Sequence, residues 1–151
     1  MEALLAQASK TAAERILAVV DWDLEPGTSA HLLAEHAKRL HSRLGVLVPA
    51  RLHGLDWAGD PRSSRPCAER QLSELRRLLA DEGVDLEEGW VGDPETVPAI
   101  ADVLDGWRAD EVMLLRAGGE RTRLRPLALS RRVRRLSGLP VSWMRAPRRR
   151  R

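Results

Sequence analysis

The sequence predicts an α/β fold built on a parallel sheet, and two features carry that expectation. Short continuous apolar runs, Arg15–Asp21 and Glu111–Leu115, have the pattern of strands buried on both faces. Segments with apolar residues at helical spacing lie between such runs. Strands alternating with helices fold as parallel units with right-handed crossovers. At 151 residues the chain is long enough for one domain with a full core.

The elements follow in order. The first strand ends in Asp21, and Trp22–Gly27 forms a turn through Pro26 and Gly27. Thr28 or Ser29 then caps a helix that runs through Leu44, with Leu32, Leu33, His36, Leu40 and Leu44 on its apolar face. Gly45 stands where a left-handed residue would end it. Val46–Leu52 reads as the second strand with a bend at Pro49, and Gly54–Pro66 as a loop. Cys67–Glu82 is strongly amphipathic through Leu72, Leu75, Leu78 and Leu79, and Gly83 ends it.

Val84–Val91 is the third strand, followed by the turn Gly92-Asp93-Pro94. Thr96 caps a third helix, Val97–Trp107, with Pro98 in the first turn, where a missing N–H costs nothing. The fourth strand, Glu111–Leu115, is followed by a loop over Arg116–Arg125. A fourth helix spans Pro126–Leu136, and Gly138-Leu139-Pro140 leads into a fifth strand, Val141–Met144. The expected organisation is an N-terminal extension over 1–13, a domain over 14–145 and a basic disordered tail over 146–151.

Composition excludes several function classes. Cys67 is the sole cysteine, so neither an intrachain disulfide nor a cysteine-rich metal site can form. His31, His36 and His41 recur every five residues, a net rotation of about 140° on a helix, so they share no face and no metal site is expected. No nucleophile elbow or Walker loop is present, and an enzyme is not expected. No run of about eighteen apolar residues suggests a membrane span, and a cytoplasmic setting is expected. Five Trp with no Tyr or Phe leave a mainly aliphatic core and few platforms for stacking bases.

Charge is divided sharply. Residues 1–115 hold 12 Lys/Arg and 21 Asp/Glu, a net of −9; residues 116–151 hold 13 Arg and one Glu, a net of +12. The C-terminal end, with Arg131, Arg132, Arg134, Arg135 and Arg148–Arg151, is therefore a candidate surface for an acidic protein or a nucleic acid. Only Lys10 and Lys38 are lysines, and arginine use so lopsided also fits a merely solvated basic face.

In an open parallel sheet, ligands bind beyond the carboxyl ends of the strands near the point where strand order reverses. The candidate positions are thus Asp21-Trp22-Asp23 after the first strand and Arg116–Arg123 after the fourth. With Val20-Asp21, Gly92-Asp93-Pro94, Ala109-Asp110 before the fourth strand and Leu139-Pro140-Val141 opening the last, residues 14–144 resemble a universal stress protein domain.

The resemblance implies a five-stranded parallel sheet of order 3-2-1-4-5, helices on both faces, and a homodimer formed through the last strand, here Val141–Met144. ATP-binding members carry Gly-x2-Gly-x9-Gly-(Ser/Thr) from the end of the fourth strand, where glycines let backbone N–H groups approach phosphates. With Gly118 as the second glycine, the first falls on Leu115 and the closing pair on Ala128-Leu129, or on Leu127-Ala128 with a one-residue gap. Gly118 matches, with Gly119 beside it, and Asp21 matches the acid that contacts adenine. The expectation is a regulatory binding module with no cofactor and without strong ATP binding. In an alternative, Arg116, Arg121, Arg123 and Arg125 replace the lost N–H donors and a nucleotide is held by charge-assisted bonds.

Overall fold

The computed structural model describes residues 15–51, 64–117 and 125–150. Five strands, β1 (Arg15–Val20), β2 (Arg43–Pro49), β3 (Leu86–Gly92), β4 (Glu111–Ala117) and β5 (Val141–Ala146), alternate with four helices. These are α1 (Pro26–Leu40), α2 (Ser64–Asp81), α3 (Thr96–Gly106) and α4 (Arg125–Ser137). All strand pairs are parallel and the order is β3-β2-β1-β4-β5. The sheet order and helix placement agree with the expectation. The N-terminal extension and most of the 54–66 loop lie outside the described residues.

The unbroken apolar run of β1 is explained by its central place. Ile16, Ala18 and Val20 face one side with α1 and α2, while Leu17 and Val19 face the other with α3 and α4. A strand sandwiched between two helical layers has no polar face to offer water, so alternation disappears. Each fully buried Leu or Ile contributes about 1.5–3 kcal/mol by leaving water. Alanine does different work on α1, where Ala30, Ala34 and Ala37 bring the helix close to the sheet.

Helix ends depart from the sequence reading for local reasons. Glu25, rather than Thr28 or Ser29, caps α1: its carboxylate accepts from the backbone N–H groups of Gly27 (2.9 Å) and Thr28 (2.6 Å). The Thr28 hydroxyl donates to the same carboxylate, and these bonds hold the Glu25 pKa below its ordinary value. Pro26 takes the first helical position, where it has no hydrogen bond to lose. At the other end the left-handed residue is His41 (φ 52°, ψ 43°), so α1 stops at Leu40 and Leu44 belongs to β2.

Gly45, expected to end that helix, instead lies inside β2. A Cβ at Gly45 would sit 2.8 Å from a Trp107 ring carbon and 2.9 Å from one of Trp90, so this glycine makes room for two indoles. Gly83 does follow α2 with a positive φ of 82°, as expected. Helix α2 begins earlier than Cys67, at Ser64, because Pro66 falls in its first turn and costs no hydrogen bond.

Two histidines tie helices to neighbours. His36 on α1 lies 2.8 Å from Glu111 at the start of β4. His31 bridges α1 to Glu82, just past the end of α2, at 2.7 Å, and Glu35 lies 3.3 Å away. The hydrogen bond to Glu82, with the charges of Glu35 and Glu82, raises the His31 pKa above 6.5. A raised histidine pKa stabilises the fold fully below the unfolded value, and that contribution fades as pH climbs through the folded value. Stability measured by urea unfolding should therefore decline from pH 6.5 upward, and His31→Gln should remove that part of the slope. An unchanged slope in the variant would exclude the bridge as its source.

Candidate functional site

The order reverses between β1 and β4, which places the carboxyl ends of these strands beside each other. Asp21 follows the last residue of β1 and is 5% exposed. Two guanidinium groups converge on its carboxylate. Arg51, just beyond β2, places Nη1 3.3 and 3.2 Å from the two oxygens. Arg116, near the end of β4, places Nη1 3.2 Å from Oδ2. The same guanidinium reaches the Thr96 hydroxyl at 3.4 Å through Nη2, joining the start of α3 to the group.

The physical logic is pairing. A carboxylate removed from water costs several kcal/mol unless charge and hydrogen bonds replace its hydration, of order that size for one buried ion. One acid between two arginines leaves the trio with one net positive charge. Arg116 is the less accessible partner, its side chain 15% exposed against 31% for Arg51. The Trp22 indole N–H donates to the Arg51 carbonyl at 2.6 Å and fixes the backbone that carries this arginine.

Beneath the trio the main chain of the β1–α1 connection is held by a buried amide. Gln71 on α2 donates from Nε2 to the carbonyls of Asp21 (3.2 Å) and Leu24 (2.9 Å). Its oxygen accepts from Arg149, whose guanidinium also lies 3.5 Å from Glu74. The residues that follow β5 make defined contacts with this connection. Ala146 closes β5, Leu24 and Arg148 form an antiparallel bridge, and two backbone bonds tie Glu25 to Pro147 (2.8 Å) and Arg149 to Asp23 (2.7 Å). Arg148 also pairs with Asp23 at 3.5 Å. The acidic first half of the chain thus supplies partners for Arg148 and Arg149 at the basic end.

Of the residues singled out in the sequence, Asp21 and Arg116 are brought together. Gly118, Gly119, Arg121 and Arg123 lie outside the described residues. Leu115, at the first glycine position of the motif, is fully buried in the core shared with α1 and α2, and Leu127 is 50% exposed. Arg51 and Gln71 were not anticipated, and Arg149, expected on an outer basic surface, instead meets Gln71 and Glu74. Arg51 falls inside the strand expected over Val46–Leu52, whereas β2 ends at Pro49 and leaves Arg51 free to turn toward β1; Gln71 carried no signal, being one polar residue in an otherwise ordinary helix.

Among the described residues, no group of three His, Cys, Asp or Glu side chains is placed to hold a metal ion. Among them, too, no helix is long and apolar enough to cross a membrane. Arg131, Arg132, Arg134 and Arg135 of α4 are exposed and, among the described residues, form a basic strip outside these internal pairs.

No protein-family model matches the chain, and no curated protein does. Solved structures do. A universal stress family protein from Burkholderia pseudomallei superposes with a TM-score of 0.61 at 18% identity, covering 87% of this chain and 95% of its own. A universal stress protein in complex with cAMP gives 0.54 at 19% identity, covering 89% and 98%. One from Archaeoglobus fulgidus in complex with dAMP gives 0.54 at 20% identity, covering 85% and 96%. Such likeness over nearly the whole length, with the same strand order expected from the motifs, identifies the fold of this chain as that of the universal stress proteins.

Proposed function

We propose that the chain is a non-catalytic regulatory binding module of the universal stress type, homodimeric, and without strong ATP binding. One observation carries the last point: the Asp21 carboxylate, which would have to read an adenine, is buried and already bonded to Arg51 and Arg116. A base would have to displace two guanidinium groups, and charge-assisted bonds to a desolvated carboxylate are the strong kind. Calorimetric titration with ATP tests this. Wild type should show no saturable heat at micromolar nucleotide. Micromolar binding that vanishes in Asp21→Ala or Gly118→Val would overturn the reading.

A second reading keeps the nucleotide and gives the arginines its phosphates. It is favoured by the net positive charge of the trio and by Ser130, whose hydroxyl is buried with no hydrogen-bond partner among the described residues. Ser130 follows directly on the Ala128-Leu129 pair where the motif's glycine and hydroxyl residue would fall. In that case binding is lost in Arg116→Ala and retained in Asp21→Ala, the reverse order of sensitivity.

The dimer rests on β5. It is an outer strand, paired only with β4 among the described residues, and Val141 and Trp143 on it are half-buried. Leu127 and Leu136 on the adjacent α4 are 50% and 47% exposed. Unpaired strand edges beside exposed leucines are natural surfaces for a second chain. Light scattering should give twice 16.9 kDa for wild type and 16.9 kDa for Val141→Asp. A monomeric wild type would remove the dimer.

A further inference from the structure

A groove of about 510 Å³ runs between the edge strand β3 and helix α3, and it shares no residue with the Asp21 trio. Trp90 and Trp107 form part of its wall, their rings edge-to-face with centroids 5.3 Å apart. Glu88, Asp93 and Asp102 also line it, against Arg65 as the single lining cation among the described residues. Arg65 is itself engaged, 3.6 Å from Glu69. All three lining carboxylates are exposed, and Gly106 leaves open space at one end, since a Cβ there would meet nothing within 4 Å.

Trp107 already holds a cation of the protein's own. The Arg15 guanidinium lies 5.5 Å from the Trp107 ring centroid and 3.1 Å from Glu87. A register shift between β2 and β3, where Leu44 pairs with Leu86 and Gly45 with Glu88, inserts an extra residue at this point. Successive acids, Glu87 and Glu88, therefore serve the Trp side, one taken by Arg15 and the other facing the groove. Indole rings attract cations through their quadrupole, and carboxylates at the rim add charge that a neutral ligand cannot use.

We propose that this groove binds a small organic dication bearing a guanidinium group. Its volume falls within the range of small-ligand pockets, roughly 300–1,000 Å³. Three carboxylates spread along β3, the turn after it and α3 match two positive ends better than one.

Agmatine is the probe, with N-butylurea as its neutral counterpart, and the indole N–H signals of Trp90 and Trp107 are the readout. Those signals are assigned by Trp90→Phe and Trp107→Phe. Agmatine should shift both saturably at low ionic strength, while N-butylurea should shift neither. The exposed pair Glu88→Gln and Asp102→Asn, made together, should weaken binding by about tenfold with the fold intact by circular dichroism. Asp105→Asn, on α3 but outside the groove lining, should leave the affinity unchanged. The proposal is overturned by absence of saturable shifts up to about 10 mM agmatine, a weakness beyond any built site. Equal binding by the double variant or by N-butylurea would overturn it as well.

Discussion

Asp21→Ala is expected to lower the unfolding free energy by about 3 kcal/mol, because it leaves buried arginine charge without its partner. The loss falls mainly on Arg116. Arg51 is half-open and can turn to water, whereas Arg116 is held between β1, β4 and the start of α3. Arg116→Met alone should cost less, since Asp21 keeps Arg51. Combining Asp21→Ala with Arg116→Met should recover part of the loss, a positive coupling of about 1–2 kcal/mol in a double-mutant cycle. Urea unfolding near neutral pH measures all three variants. A cost below about 0.5 kcal/mol for Asp21→Ala would mean that the trio behaves like a solvent-screened surface pair.

Removing the residues after Ala146 is the second large effect. Truncation deletes two backbone bonds to the β1–α1 connection, the Arg148–Asp23 pair and the Arg149 contacts with Gln71 and Glu74. Gln71 is fully buried, so its oxygen would lose its partner in a place water reaches poorly. At roughly 1 kcal/mol for each net hydrogen bond, the truncated chain should lose about 2–3 kcal/mol, and Arg149→Ala alone about 1–2. A chain ending at Ala146 that unfolds at the same urea concentration would show the C-terminal contacts to be dispensable. The same deletion should reduce retention on RNA or DNA only modestly, because the exposed arginines of α4 remain.

The sheet was legible because burial on both faces writes itself into β1 and β4 as unbroken aliphatic runs. Those runs and the intervening amphipathic segments determine the alternation, and the short motifs around Asp21, Gly92 and Pro140 indicated the strand order. Boundaries were harder where a residue had two possible uses. Gly45 has the chemistry of a helix terminator, and only the arrival of Trp90 and Trp107 from distant parts of the chain makes it a strand residue. His41 has no such signature, yet it takes the left-handed conformation.

The site was half legible for a related reason. Asp21 and Arg116 stand at strand ends that the fold brings together, so position alone marked them. Arg51, Gln71 and Arg149 are separated from Asp21 by 30, 50 and 128 positions, and nothing local ties any of them to Asp21. The C-terminal arginines illustrate the limit best. Composition reads them as a loose basic tail, while in the fold each of Arg148 and Arg149 meets an acid from the first half of the chain.

The most direct test is the behaviour of the two guanidinium groups when nucleotide is added. The Nε–H signals of Arg51 and Arg116 in ¹⁵N-labelled protein, assigned by Arg51→Lys and Arg116→Lys, report whether these side chains stay on Asp21. Both should remain unchanged in about 1 mM ATP, a concentration at which even weak binding of about 4 kcal/mol is visible. Saturable movement of both signals with ATP would show the nucleotide entering the trio, and would contradict a trio closed to nucleotide.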